Sequence, residues 1–481
     1  MSRTSPGAES VTTDATPHSE PPASAQPALS HGLKQRHLSM IALGGVIGAG
    51  LFVGSGAGIA SAGPSIVLAF AASGLLVTLV MRMLGEMSAA NPASGSFSVH
   101  AERAIGPWAG FTAGWMYWAL LCVGIAVEAI GAADIMTSWL PDTPGWMWVA
   151  VFMALFCGTN LAAVSNFGEY EFWFALLKVV AITAFLVLGL LAIAGLLPGT
   201  DAPGTSHLTG DGGFLPNGSD GLITGLLASV FAYGGLETVT IAAAESEDPR
   251  RGVAKAVRTA VWRIAVFYVG SMLVIVTLID WQDKALLTGP YAAVLDEIGI
   301  GNAGEVMKVI VLAALLSAMN ANIYGASRMS YSLIARGEGP RFLGKLTGGV
   351  PRRAVVASSV FGFFAVLLKF WWEDTVFTWL LNMVGAATLV VWGFIAVSQL
   401  ISRRRLERES PDKLLVRMWL FPALTWVALA GILAVLLLML REDDTRTQLW
   451  FTGGLALALA GAGYLRQRLA AERRAAATAG E

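Results

Sequence analysis

Chemistry-bearing residues stand in unusually apolar surroundings in this 481-residue chain. The run 39–58, SMIALGGVIGAGLFVGSGAG, carries glycine at 44, 45, 48, 50, 54, 56 and 58. Glycine in a helix interior costs about 1 kcal/mol relative to alanine, so an unbroken helix is disfavoured around Gly48-Ala49-Gly50. A helix restarting there offers bare N–H groups and roughly half a positive charge, which suits an anion. Gly234 and Gly235 follow Tyr233 inside a second apolar run, 221–243. Glu128, Lys178 and Glu237 are ionisable groups in apolar runs. A charge at bilayer centre costs about 2.5–3.5 kcal/mol on insertion scales and therefore faces a bundle interior. Each of the three could carry a proton or balance a bound charge, or could simply hold helices together. The glycines also have a plainer reading: Gly44 and Gly48, and Gly50, Gly54 and Gly58, are four apart, as small-xxx-small helix contacts require.

The elements that must position these groups follow from composition. The chain is 55% hydrophobic and 14% charged, against about a quarter charged in soluble domains, and its mean hydropathy is +0.63. Roughly 20 apolar residues cross the hydrocarbon. Twelve such segments are read: 38–58, 61–82, 108–133, 146–163, 172–196, 221–243, 258–280, 306–334, 354–372, 376–400, 418–439 and 447–465. They are segments 1 to 12 below, and Pro64 fits the first turn of segment 2. Residues 1–32 are rich in Ser, Thr, Pro and Ala and read as a disordered tail; they lack the apolar stretch of a secretory signal.

Lysine and arginine set the expected orientation. They gather in the pre-helix tail (Lys34, Arg36) and after segments 6, 8 and 10 (Arg250, Arg251 and Lys255; Arg336, Arg341 and Lys345; Arg403, Arg404, Arg405, Arg408 and Lys413). The C-terminal tail adds Arg466, Arg468, Arg473 and Arg474, whereas 197–220 has neither base. Both termini are therefore expected in the cytoplasm, with the protein multi-pass in the cell membrane. Segments 1 and 6, each interrupted by glycine, open two five-segment units of opposite orientation. That is the sequence pointer to an inverted-repeat secondary transporter.

Other chemistries find little support. Cys122 and Cys157 lie in apolar runs and read as packing. There is no HExxH or Cys/His ligand spacing for a metal. Gly48-x-Gly50 imitates a dinucleotide loop, but Val53 stands where the third glycine belongs; GPRFLGK at 339–345 lacks the Ser/Thr of a phosphate loop, having Leu346. An enzyme is not expected, and a net charge of −1 offers no basic face for nucleic acid. A channel remains a rival, because glycine breaks also line pores. Arg82, Glu86, Glu102 and Arg103 read as loop packing or gate contacts. Glu245, Glu247, Arg250 and Arg251 read as an inner-face charge cluster. Asn320, Asn322, Tyr324 and Arg328 make segment 8 polar, chiefly for helix association. Trp108, Trp139, Trp146, Trp148 and Trp281, near segment ends, read as an interfacial belt.

Longer motifs carry a resemblance. GVIGAGLFVGSG (45–56), SAGPSIVLAFAASGLLVTLVMRMLGEMSAANPASGSFS (61–98) with its pair Gly85-Glu86, FGEYEFWFALLKVVAI (167–182) and IAAAESEDPRR (241–251) resemble amino acid permeases of the amino acid–polyamine–organocation superfamily. VTIAAAESEDP, AVSQL (396–400) and RMWLFPALTW (417–426) look closest to the GABA permeases within it. The resemblance implies an all-α integral membrane fold of 12 transmembrane helices. That fold is a five-plus-five inverted repeat with discontinuous helices 1 and 6 plus two extra C-terminal helices. The core would span 33–402, as repeats 33–200 and 220–402, followed by helices 11 and 12 within 415–466 and a cytoplasmic tail, 467–481. It also implies proton-coupled uptake of an amino acid by alternating access, with no cofactor beyond protons. Ala49 and Gly50, beside Gly48, match the amides that hold the substrate carboxylate. Phe231, Ala232 and Gly234 match the positions whose carbonyls hold its amine, and the Phe231 ring matches a gate. Lys178 matches a lysine linking proton to substrate, and Glu128 and Glu237 match acidic positions of this branch. The substrate is expected to be GABA or a related amino acid; another neutral, aromatic or basic amino acid, an exchange mode, or a non-transporting amino acid sensor are the alternatives. Oligomeric state does not follow from the sequence.

Overall fold

The structure is a computed structural model that describes residues 36–37, 40, 47–93, 95–161, 164–198, 201–210, 212–244, 248–347, 349–373, 375–441 and 443–479. The tail 1–32, Lys34, Gly44 and Gly45 at the start of segment 1, and Glu245 and Glu247 lie outside them. The regular elements among the described residues are all helices, with one isolated antiparallel bridge, Thr347 to Val350. Among the described residues seven helices are long and apolar enough to cross a membrane, and Gly145–Asn160, Gly218–Ala232 and Ala423–Met439 are shorter apolar ones.

Segment 1 begins its described helix at Ala49–Phe52 and continues past the irregular Val53 as Gly54–Ala62. Gly63, at φ +61°, turns the chain where an L side chain would be strained. A short 3-10 turn with Pro64 in its first positions then leads into segment 2, Ile66–Ala90. Segment 3 is Pro107–Trp139, segment 4 is Gly145–Asn160 and segment 5 is Val164–Ile193. Segment 6 is split into Gly218–Ala232 and Thr238–Ala244. Segment 7 runs as Pro249–Arg263, a π-helical turn Ile264–Val269, and Gly270–Leu278. Segments 8, 9 and 10 are Ala303–Ala335, Arg352–Trp371 and Val376–Glu409. Segments 11 and 12 are Ala423–Met439 and Asp443–Ala479.

Several helices outrun their apolar stretches. Segment 10, expected to end at 400, continues to Glu409 on the pairs Arg403–Glu407 and Arg405–Glu409, each one turn apart. Segment 12, expected over 447–465, continues to Ala479. Segments 3 and 8 form the centre of the bundle and are packed along their lengths. Large apolar side chains such as Leu75, Trp173, Trp262 and Phe370 point outward, more than 60% exposed. A row of apolar side chains turned away from the core is the surface a lipid solvent requires.

The plain packing reading of the glycines holds for part of segment 1. A Cβ on Gly58 would lie 3.2 Å from Ala228 Cβ, and one on Gly225 would lie 2.6 Å from Ala62 Cβ. Small residues thus bring the halves of segments 1 and 6 into backbone-close contact. Hydroxyls tie segment 6 to segment 2: Ser229 and Ser73 are 2.7 Å apart, and Tyr233 donates to the Phe70 carbonyl at 2.9 Å.

Candidate functional site

The described start of segment 1, at Gly48, and the break in segment 6 lie side by side. Gly48 has extended backbone (φ −146°, ψ −148°), and its carbonyl accepts from Leu51 and Phe52 N–H at 3.2 Å, so the helix starts at Ala49. A helix start leaves its first N–H groups without intrahelical partners. Ala49 N–H donates to the Glu128 carboxylate, 3.2 Å from Oε1 and 3.0 Å from Oε2. A carboxylate therefore already sits on the amide that the sequence marks for an anion, and it belongs to the protein. No side chain would fit at Gly48: a Cβ would meet Glu128 Oε1 at 2.4 Å and Ala318 Cβ at 2.8 Å.

Segment 6 stops at Ala232 and turns through Tyr233–Glu237, with Gly234 N–H donating to the Phe231 carbonyl at 2.9 Å. Gly235 sits at φ +90°, a conformation open to glycine. The break in segment 6 touches that in segment 1, since a Cβ on Gly50 would lie 2.6 Å from Ala232 Cα and 2.8 Å from the Phe231 ring. Between the breaks is a cavity of about 40 Å³ whose lining includes Gly50, Gly124, Glu128, Phe231, Gly234 and Asn322. A water needs about 10–15 Å³ measured this way. The space is thus large enough for a few waters.

Behind Glu128 lies a buried charged group. Lys178, fully buried in segment 5, interacts electrostatically with Glu171 and then Glu128, with Arg263 as a like-charged neighbour. Glu171 is also fully buried and accepts from the Ser317 hydroxyl at 3.0 Å on both oxygens. Glu171 and Lys178 are seven residues apart, two helical turns, and so share a face. Arg263 precedes the π-helical turn of segment 7, a distortion that often accompanies functional sites. Neither Glu171 nor Arg263 was among the residues expected at the site. The two-turn spacing to Lys178 was the available signal for Glu171, and a base inside an apolar run was the signal for Arg263.

Glu237 is placed elsewhere. It is buried below the break and accepts from the Trp392 indole N–H of segment 10. Next to it, the Tyr117 and Thr238 hydroxyls are 2.7 Å apart. The lining of the small cavity thus brings together Gly50, Glu128, Phe231, Ala232 and Gly234, with Ala49 bonded to Glu128 and Lys178 behind it. Glu237 stands apart, and Asn322 joins the lining. Asn320, by contrast, accepts from Asn160 at 2.6 Å and links segments 8 and 4.

The residues read as inner packing form two networks. Glu86 is buried and receives Arg403, Gln399 Nε2 at 2.8 Å and Met418 N–H at 2.6 Å, joining segments 2 and 10 to the chain entering segment 11. Arg336 pairs with Glu102 at 3.2 Å and Glu338 at 3.0 Å. Burial pushes the Glu338 carboxyl above its usual range, opposed by Arg336 beside it.

Known proteins share this sequence along almost its whole length. The amino acid permease family profile matches residues 37–462. A gamma-aminobutyric acid permease of Bacillus subtilis (strain 168) is 48% identical over 89% of this chain and 92% of its own. An aromatic amino acid transport protein of Corynebacterium glutamicum is 46% identical over 88% and 92%. A gamma-aminobutyric acid permease of Escherichia coli (strain K12) is 43% identical over 90% and 93%. Permeases move solutes across membranes without transforming them, which accords with the absence of an enzymatic motif in the sequence. By extent and identity, this chain belongs to the amino acid permease family of the amino acid–polyamine–organocation superfamily.

Proposed function

We propose that this amino acid transporter takes up GABA or a closely related amino acid by proton-coupled alternating access. The observation that carries the reading is the Glu128 carboxylate on Ala49 N–H, beside a small cavity between the start of segment 1 and the break in segment 6. An amino acid brings its own carboxylate and an ammonium. Its carboxylate would take the Ala49 and Gly50 amides beside Gly48, in place of Glu128, without needing a buried counter-charge. Its ammonium would meet carbonyls at Phe231, Ala232 and Gly234, where segment 6 ends and the Phe231 oxygen, already bonded to Gly234 N–H, keeps a second lone pair. Phe231 would turn aside to admit it and close behind it. Glu128 would leave the amide more readily when protonated, since a neutral carboxyl competes weakly for a helix N-terminus. Lys178, with Glu171, would exchange charge with Glu128, which would link a proton to each substrate; its electrostatic interaction with both carboxylates supports this. Glu237 would serve as a second proton site on the inner half of segment 6.

The same reading takes the chain as 12 membrane crossings, ten of them in two inverted five-helix repeats, with both termini in the cytoplasm of a cell-membrane protein. Support comes from the arginine-rich and arginine-poor loops and from the paired breaks. Backbone contacts fix the two ends of any amino acid and leave its side chain to segments 3, 6, 8 and 10. The near-equal similarity to GABA and aromatic amino acid transporters makes substrate choice a matter for direct test. A competition panel of unlabelled amino acids against radiolabelled GABA uptake should show GABA itself as the strongest competitor. Strong competition by phenylalanine or tyrosine with none by GABA would move the substrate to the aromatic class.

A further inference from the structure

A second concavity, about 560 Å³, opens at the foot of segments 2 and 10 and shares no lining residue with the cavity between the breaks. Arg103, at the end of the helix Ser96–Ala104, faces it together with Arg405 and Arg408 of segment 10 and Lys413 of the turn that follows. Against these four bases it holds one carboxylate, Glu409, which is paired to Arg405 at 3.2 Å. The arginine run 403–408 is sorted by helix geometry. Arg403 turns inward to the buried Glu86, while Arg405 and Arg408, three residues apart, share the face that lines the cleft.

The cleft also has an apolar side and a definite depth. Met87, Ile401 and Leu406 contribute to its lining, and Ile401 is 43% exposed. The apolar stretch of segment 10 ends at Leu400. At about 1.5 Å per residue, Arg405 and Arg408 lie roughly 7 and 12 Å beyond it. A bilayer's polar layer is about 5–8 Å thick on each side. Arg405 therefore stands at headgroup depth, with apolar side chains on the membrane side and further cations on the aqueous side. Guanidinium groups bind phosphate oxygens in paired, charge-assisted hydrogen bonds.

We propose that this cleft is a binding site for a phosphate group with net negative charge, carried by an acidic phospholipid or free in solution. A bound phosphate would bridge segment 10 to the helix Ser96–Ala104, beside the Arg403–Glu86 contact that joins segment 10 to segment 2. The site is independent of the transport reading, and its test does not involve uptake. The purified full-length chain in a zwitterionic detergent is titrated with short-chain phosphatidylglycerol, short-chain phosphatidylcholine and inorganic phosphate, with binding read by native mass spectrometry. Arg405→Gln/Arg408→Gln is compared with Arg250→Gln/Arg251→Gln, all four side chains being exposed, and thermal melting shows that both variants fold. Phosphatidylglycerol or phosphate should bind the wild type, and the cleft variant should weaken that binding about tenfold or more, as loss of charge-assisted contacts implies. The control variant should bind as the wild type does. Displacement of phosphatidylglycerol by inorganic phosphate would identify the phosphate alone as the ligand, and failure to displace it would identify the lipid. Binding of both anions unchanged in the cleft variant, or phosphatidylcholine bound as tightly as phosphatidylglycerol, would overturn the proposal.

Discussion

Gly50→Ala is the sharpest perturbation of the paired breaks. Its new Cβ would lie 2.6 Å from the Ala232 Cα and 2.8 Å from the Phe231 ring. Carbon atoms prefer about 3.5–4.0 Å, so the two broken helices must part by about 1 Å. Overpacking of this kind costs about 1–3 kcal/mol. Taken out of the conformation in which segments 1 and 6 meet, that is roughly 5- to 150-fold, and a ~1 Å misplacement of positioning groups can cost on the order of a hundredfold. Gly54→Ala is the matched control on the same helix. Its Cβ would meet only the Leu381 methyls at 3.5 Å and the Ala49 carbonyl at 3.6 Å, which is ordinary contact. The assay is the initial rate of labelled GABA uptake, normalised to the amount of protein in the membrane. Gly50→Ala should fall about 10- to 100-fold with normal expression, and Gly54→Ala should stay within about twofold of wild type. Equal uptake by the two variants would show that the contact between the breaks does not shape the transport site.

Three further outcomes follow from the geometry. Lys178→Ala should remove the dependence of uptake on an imposed pH gradient, because it takes the cation from between Glu171 and Glu128; an unchanged gradient response, measured in proteoliposomes, would end its coupling role. Phe231→Ala should alter apparent affinity or counterflow by opening the space its ring fills, and indifference in both assays would show that it is not the gate. Glu86→Ala should leave Arg403 with only the half-exposed Glu407 as its carboxylate, and Gln399 Nε2 and Met418 N–H without their acceptor, at a cost of about 1–3 kcal/mol. The detergent-solubilised protein should then melt several degrees lower, whereas an unchanged Tm would mean that the Glu86 network does not hold segments 2 and 10 together.

The break in segment 6 was legible because glycine penalises helix wherever it clusters, and it falls at Gly234 and Gly235; in segment 1 the helix starts just after Gly48, and residues 41–46 before it lie outside the described ones. What each glycine does was not legible. Gly50 faces the other break, Gly58 packs on Ala228, and only the third dimension separates the two. Lys178 and Glu128 stood out because a charge in an apolar run is conspicuous by itself. Glu171 was passed over because it stands one residue before the apolar segment read as 172–196, close to Glu169 and Tyr170, where a carboxylate looks like an ordinary boundary residue. Asn322 and Asn320 have the same side chain two residues apart, yet one lines the cavity and the other bonds Asn160. Hydropathy marked where the apolar helices lie but not where they end. Hydrogen bonding and Arg–Glu pairs one turn apart carry segment 10 into the aqueous phase, and hydropathy registers neither.

Uptake of radiolabelled GABA into proteoliposomes containing only this chain, with the outside made acidic, tests the central claim most directly. The account predicts saturable accumulation above the external concentration that collapses when a protonophore is added. Non-saturating equilibration indifferent to the gradient would indicate a channel, binding without entry would indicate a sensor, and either result would contradict proton-coupled uptake through the paired breaks.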